Sequence, residues 1–289
     1  EYPPADSKIR VKHCERQLGG LTAVALLAAA RLGGKVSYAG VLGRDELSRF
    51  ARSEMRKEKI SLRYLKIARG YFPPVHSFIV VDSKNHTRNV FSHRAVDYRM
   101  PANWPPREVI EATRVLYVDH SDLVAMIRAA KIARKAGIPV VADLERISGP
   151  RFDELLDLVD HLILPRKLAF QLSDETEPEK VLRALWKKRA RAFLGVTFGK
   201  AGCWFIDGNE PDRLRHQPIF DVPVLDTTGC GDVFHGTYAW GLARGIPPAE
   251  RIRQATAVSA LQATKLGAQA GVPTLRELNR FLAAVSKSR

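Results

Sequence analysis

The segment Asp226-Thr227-Thr228-Gly229-Cys230-Gly231-Asp232, continued by Val233-Phe234-His235-Gly236, sets two carboxylates, two hydroxyls and two glycines between an apolar run at 222–225 and a helical pattern. Gly229 and Gly231 let the backbone curl until its N–H groups converge on one point. The dipole of the helix that follows adds partial positive charge there. Such a turn is an anion hole suited to phosphate. Asp232 stands at its lip, where a carboxylate can take the proton of an attacking hydroxyl. A base beside the nucleophile, with donors around the transferred group, is what phosphoryl transfer to an alcohol requires. The competing reading is a β-to-α turn with a capped helix; the full string at the start of a long helix favours chemistry.

Other chemistries find less support. There is no G-x-x-x-x-G-K-[ST] segment, so a Walker-type nucleotide site is excluded. The third glycine of G-x-G-x-x-G is absent after Gly231, and no protein-kinase H-R-D or D-F-G set occurs. His76, His86, His93 and His120 lack the spacing of zinc ligands. Cys14, Cys203 and Cys230 are far apart and odd in number, against a disulfide framework and in favour of a reducing compartment. Cys230 lies near a helix N-terminus, which lowers a thiol pKa; a replacement tolerated for its small size is the favoured alternative. Asp119 and Asp143 end predicted strands, where open α/β sheets gather ligands, with capping or exposure as the favoured alternative. Lys187-Lys188-Arg189 with Arg191 reads as a solvated helix face.

The elements that must position these residues alternate. Helices are predicted over 21–32, 45–59, 121–135, 179–189, 233–243, 249–265 and 274–286. Strands are predicted over 35–42, 115–119, 138–142, 160–164, 193–197 and 203–206. This rhythm predicts an α/β fold: a doubly wound, mostly parallel sheet flanked by helices. Residues 75–81 and 87–92 break it, reading as two half-buried strands joined by Asp82-Ser83-Lys84-Asn85-His86, a separate small sheet or lid. The chain reads as one domain over 1–289, with a lid built from about 5–18 and 70–98. Its 289 residues, 45% hydrophobic, hold ample material for a core. The formal charge of +15 favours anionic partners without specifying which. No apolar run approaches the roughly 18–20 residues of a membrane span, and 21–30 reads as a buried helix rather than a signal peptide.

In order along nearly the whole chain, these segments resemble the ribokinase-like, phosphofructokinase-B type carbohydrate kinases, closest to ketohexokinase-like sugar kinases. Residues 226–232 resemble the family's second signature. Val196-Thr197-Phe198-Gly199-Lys200-Ala201-Gly202 is similar to its nucleotide-side turn, and 255–267 with Gly271-Val272-Pro273-Thr274 to its C-terminal helix and adenine-side loop. Gly19-Gly20 before an Ala-rich helix, with Leu32-Gly33 and Tyr38-Ala39-Gly40-Val41-Leu42-Gly43-Arg44-Asp45, resembles the first signature; residues 1–10 resemble a lid-forming stretch.

The resemblance implies an ATP-dependent sugar kinase that moves the γ-phosphoryl group of ATP to a hydroxyl. Asp232 would be the base and Gly229, Cys230 and Gly231 the anion hole. ATP would lie at Thr197, Gly199, Gly202, Thr228, Gly229, Gly231 and Gly267, and the sugar at Gly19, Gly20, Arg88 and Asp232. Mg2+ is implied, with a monovalent cation such as K+ at Asp226 and Thr228. A cytoplasmic homodimer, clasped through lid strands, is expected, with neither nucleic acid nor membrane as partner. For Arg88, a plain surface cation is an equal alternative. Three departures stand out. The family's opening strand, with a Gly and a substrate-binding Asp, is either absent or precedes Glu1; Leu21 and Val24 stand where an Asn often contacts the sugar; and Arg166-Lys167-Leu168-Ala169 replaces an Asn-x-x-Glu pattern. A nucleoside kinase of the same fold and a basic binding protein that has lost catalysis are the alternatives.

Overall fold

An Ala- and Leu-rich helix has no polar face to give to solvent. α1 (Leu21–Arg31) is accordingly enclosed, with Val24, Leu27 and Ala28 fully buried. The computed structural model describes residues 4–82, 84–85 and 87–287. β1 (Val41–Leu42) follows α1. α2 (Glu46–Lys57), capped by Asp45 accepting the Ser48 N–H at 2.9 Å, then leads to β2 (Lys66–Ile67), which pairs in parallel with β1. The strand predicted over 35–42 is therefore largely irregular. Ahead of β1 only Ser37 makes a bridge, to Ser61, and Tyr38 folds its ring over Gly40, leaving no room for a Cβ there.

β3 (His76–Asp82) and β4 (Thr87–His93) form an antiparallel hairpin that is a sheet of its own. Ser83 and His86 of the predicted turn lie outside the described residues, as do residues 1–3 of the predicted lid stretch. Residues 5–18 add no strand to the hairpin among the described residues. Rich in Lys and Arg, with Ile9 and Val11 exposed, this stretch has little apolar surface to pack; it is anchored at its end by Leu18, buried in the core, and by Gln17 donating to the Leu266 carbonyl at 3.1 Å.

The main sheet is built by α3 (Arg107–Glu111), β5 (Leu116–Asp119), α4 (Leu123–Lys135), β6 (Val140–Asp143), α5 (Phe152–Leu158), β7 (His161–Pro165), α6 (Arg166–Ser173), α7 (Pro178–Lys188), β8 (Phe193–Thr197), β9 (Cys203–Asp207) and β10 (Leu214–Gln217). Its order is β10-β9-β8-β7-β6-β5. β5 to β8 run parallel; β9 is antiparallel to β8 and β10 antiparallel to β9, so the sheet is mixed rather than parallel to its edge. The reversal comes at Gly202, whose φ of 82° suits glycine and where the Gln217 backbone leaves no space for a Cβ. Strands covered on both faces are apolar without alternation, as Val140, Val141 and Ala142 are. Val140 and Ala142 meet Ile127, Leu155 and Leu182 from the helices on one face. Val141, Ile163 and Phe193 meet Phe234 and Tyr238 of α8 (Cys230–Ala243) and Ile252 of α9 (Pro248–Ala263) on the other.

α8 lies between the sheet and α1, and α10 (Leu275–Lys287) packs on α9. Gly236 abuts the Ala25 backbone so closely that no side chain fits, which lets α1 and α8 pack backbone to backbone. This sandwich places the first turn of α8 at the carboxyl edge of β6 and β7, where ligands of open α/β sheets gather.

Candidate active site

The loop before α8 is shaped by Asp226, which is 4% exposed. Its Oδ1 accepts the Thr228 N–H at 2.9 Å and hydroxyl at 2.7 Å, and its Oδ2 accepts the Gly267 N–H at 2.9 Å. One carboxylate thus joins the 226–229 loop to the 265–271 loop. Gly229 turns the chain into the helix with φ 77°, and a Cβ there would meet the Ala268 carbonyl oxygen at 2.7 Å. Gly231, read from the sequence as its equal, is different. It is helical and has open space where a Cβ would point. Of the three amides expected in the hole, that of Cys230 donates to the Thr227 carbonyl at 3.3 Å. The next amides of the first turn are among those that helix geometry leaves without intrahelical partners. The Cys230 thiol is pushed up to about 12 by burial, which outweighs the nearby Arg88. It is a packed group against the Ser259 carbonyl and not an activated nucleophile.

Asp232 follows on the same turn, half-buried. Loss of water around its carboxyl, then the charges of Asp143 and Glu145, hold its pKa well above the usual carboxylate range, with Arg88 acting in the opposite sense. Arg88 comes from the hairpin and donates to the Thr227 hydroxyl, which brings the small sheet onto the loop. Asp143, at the end of β6, accepts the Tyr117 hydroxyl at 3.2 Å. His235 is 4% exposed and ties these parts together: Nδ1 lies 2.9 Å from the Gly231 carbonyl oxygen and 3.5 Å from Asp143, and Nε2 lies 3.0 Å from the Ile163 carbonyl oxygen on β7. A carboxyl with raised affinity for a proton, beside the open amides of a helix N-terminus, can accept a hydroxyl proton while an anion is held next to it.

The remaining predicted positions fall around this centre. Gly19 and Gly20 precede α1, with open space at both. Thr22 at the start of α1 donates to Asp119 at 2.7 Å, which ties these glycines to the carboxyl end of β5. Thr197 ends β8, and Gly199 and Gly202, both at positive φ, make the turn into β9 on the same edge. Gly267 joins Asp226 directly. Asp119 is a local turn former, accepting the Ser121 N–H and hydroxyl; the helix cap beside it is Asp122. Sequence reasoning did not single out Glu145, His235 or Gln262. His235 carried one usable signal, its place one helical turn after Gly231.

Among the described residues no three His, Cys, Asp or Glu side chains converge to hold a metal ion. Mg2+ is commonly carried by substrate phosphates, waters and one or two carboxylates. Asp143 and Glu145 beside Asp232 fit that mode, whereas Arg166 and Lys167, exposed on the first turn of α6, cannot ligate. The implied monovalent-cation site does not fit. Both oxygens of Asp226 are taken by donors of the chain, and the Thr228 and Gly267 carbonyls are faced by the Gln262 side-chain amide.

Residues 1–275 match the family model described as pfkB family carbohydrate kinase, and the chain belongs to that family. It is 27% identical over 275 residues to a ribokinase of Haemophilus influenzae, covering 91% of this chain and 87% of that protein. It is 28% identical over 303 residues to a fructokinase of Klebsiella pneumoniae, covering 96% and 94%. A crystal structure of an Agrobacterium tumefaciens protein matches with a TM-score of 0.90 over 99% of this chain and 93% of that one, at 23% identity, which shows a shared fold. The protein is an ATP-dependent kinase of the carbohydrate kinase type. No helix among the described residues is long and apolar enough to cross a membrane.

Proposed function

We propose that the chain transfers the γ-phosphoryl group of ATP to a hydroxyl of a sugar or sugar derivative, with Asp232 as the base. The observation that carries this reading is the Asp232 carboxyl, held above its usual range on the open first turn of α8. Asp232 takes the proton from the attacking oxygen, and the first-turn amides after Gly229 receive the charge of the transferring group. ATP lies along Thr197, Gly199, Gly202, Thr228, Gly229, Gly231 and Gly267. The sugar lies between Gly19-Gly20, Arg88 and Asp232. Asp143 and Glu145 would be the carboxylates at hand to hold Mg2+, which would offset phosphate charge. Names of the relatives point to pentoses and ketohexoses as first substrates to try. ADP release across hexoses, pentoses, sulfosugars and nucleosides tests the reading. Turnover of at least one sugar is expected, and turnover of nucleosides alone would overturn it.

The same chemistry fixes a pH profile. The base works ionised, and its pKa is raised, so kcat/KM rises with pH through a midpoint above the usual ~3.9 of aspartate. Glu145→Gln removes one neighbouring negative charge, so the acidic limb should move to lower pH. An unmoved limb in the variant's pH–rate profile would show that Glu145 does not act on the base.

The hairpin supports a homodimer. Side chains alternate across a strand. Arg88 and Val81, paired across the hairpin, share the face that turns to the Thr227 loop, while Phe78 and its cross-strand partner Phe91 occupy the other face. Phe78 is 70% and Phe91 50% exposed. Contiguous exposed aromatics of this kind mark contact surfaces, and a second copy offers a matching face. Sedimentation velocity should show a dimer that Phe78→Glu with Phe91→Glu converts to monomer. A wild-type monomer at all concentrations would refute it.

A further inference from the structure

Gln262, on the last turn of α9, has no exposed surface and uses both ends of its amide. Nε2 donates to the Thr228 carbonyl at 3.3 Å and to the Gly267 carbonyl, and Oε1 accepts the Gly271 N–H at 3.0 Å. The orientation is set by these partners: turned over, the amide would put an oxygen against two carbonyls and an NH2 group against an N–H. Thr228 belongs to the loop that opens α8, and Gly267 and Gly271 to the loop that closes over it. Two part-buried carbonyl dipoles aimed at one point repel unless something positive lies between them. A monovalent cation can supply that charge. Here the two hydrogens of a neutral amide supply it, fixed to the protein and already in place. Asp226 at the same junction has its oxygens engaged by Thr228 and Gly267, and the Gln17 amide, which lies against Gly267, donates to the Leu266 carbonyl at 3.1 Å.

We propose that the Gln262 amide occupies the place of the monovalent cation, holding the 226–229 loop against the 265–271 loop, so that this kinase works without K+. Gln262 is a positioning residue: it acts on phosphoryl transfer through the loops it joins. The rate measurement rests on the kinase reading above; the melting measurement does not.

The test compares buffers of equal ionic strength containing tetramethylammonium chloride or KCl, with ADP release and thermal melting in the presence of ATP as readouts. The wild type should have the same rate and the same Tm in both. Gln262→Ala opens the site and leaves the carbonyls unpaired. It should lose about tenfold or more in rate in tetramethylammonium, and K+ should restore both rate and Tm by binding the vacated position. Gln262→Met fills the volume without donors and should show the same loss with no rescue. A wild type whose rate falls tenfold, or whose Tm falls, when K+ is withdrawn overturns the proposal. So does a Gln262→Ala protein indifferent to K+ in both readouts. If the variants do not fold, the wild-type comparison decides. If no sugar is turned over, melting alone decides.

Discussion

Asp232→Asn is expected to keep the fold and ATP binding and to lose most turnover, by about 10²–10⁴-fold in kcat. The amide has nearly the size of the carboxyl, so the turn through Gly229 and the His235 contacts to Gly231 and Ile163 should persist. What disappears is the proton acceptor. Since the proton moves in the transition state, the loss should fall on kcat more than on KM. Removing a charge that Asp143 and Glu145 disfavour should also leave Tm unchanged or raised, because ionising Asp232 in the fold opposes folding above its usual pKa. Steady-state kinetics, with ATP affinity by calorimetry, check this. Near-normal turnover in the variant would remove Asp232 from the role of base.

Substitution of the two glycines should separate them. Gly229→Ala puts a methyl in a left-handed conformation, which costs about 1–2 kcal/mol. It also places that methyl 2.7 Å from the Ala268 carbonyl oxygen and 2.8 Å from its Cα, both backbone atoms that cannot rotate away. The 265–271 loop must then move, and with it the Asp226–Gly267 hydrogen bond. A fall in Tm and at least a tenfold loss of ATP affinity are expected. Gly231→Ala meets open space on a helix, where alanine is favoured by roughly 0.5–1 kcal/mol. Tm should hold or rise, and ATP affinity should fall only as far as the methyl intrudes on the bound phosphate. A Gly229→Ala protein that melts and binds ATP like the wild type would show that the junction of the two loops does not shape the site.

Cys230 shows why a motif read alone misleads about chemistry. A helix N-terminus lowers a thiol pKa and burial raises it. The sequence displays the first effect, because it follows from position along the chain. The second depends on Ser259 and the rest of α9 folding over the sulfur, and it prevails, at about 12.

The parallel core and the α8 turn were legible before any coordinates. Apolar runs such as 140–142 and 162–164, and a glycine string opening a helix, are local patterns whose meaning depends on neighbours a few residues away. The reversed direction of β9 was not, since its apolar Cys203–Ile206 stretch reads like the parallel strands and differs only in where the chain turns back; nor was β10, whose Leu-Arg-His-Gln carries no apolar run. Nor was the brevity of β1, which depends on its pairing with β2, a segment more than twenty residues away. Asp143, Glu145 and His235 come from β6, the loop after it and α8, and Gln262 of α9 reaches Thr228 and Gly267; no spacing in the chain announces either meeting. The sequence by itself determined the class of fold and the residue types at the loop that opens α8. Which of those residues bear charge, which are engaged by other parts of the chain, and what lies between two carbonyls was decided only in the tertiary structure, because electrostatic interaction and desolvation depend on distance through space and not on distance along the chain.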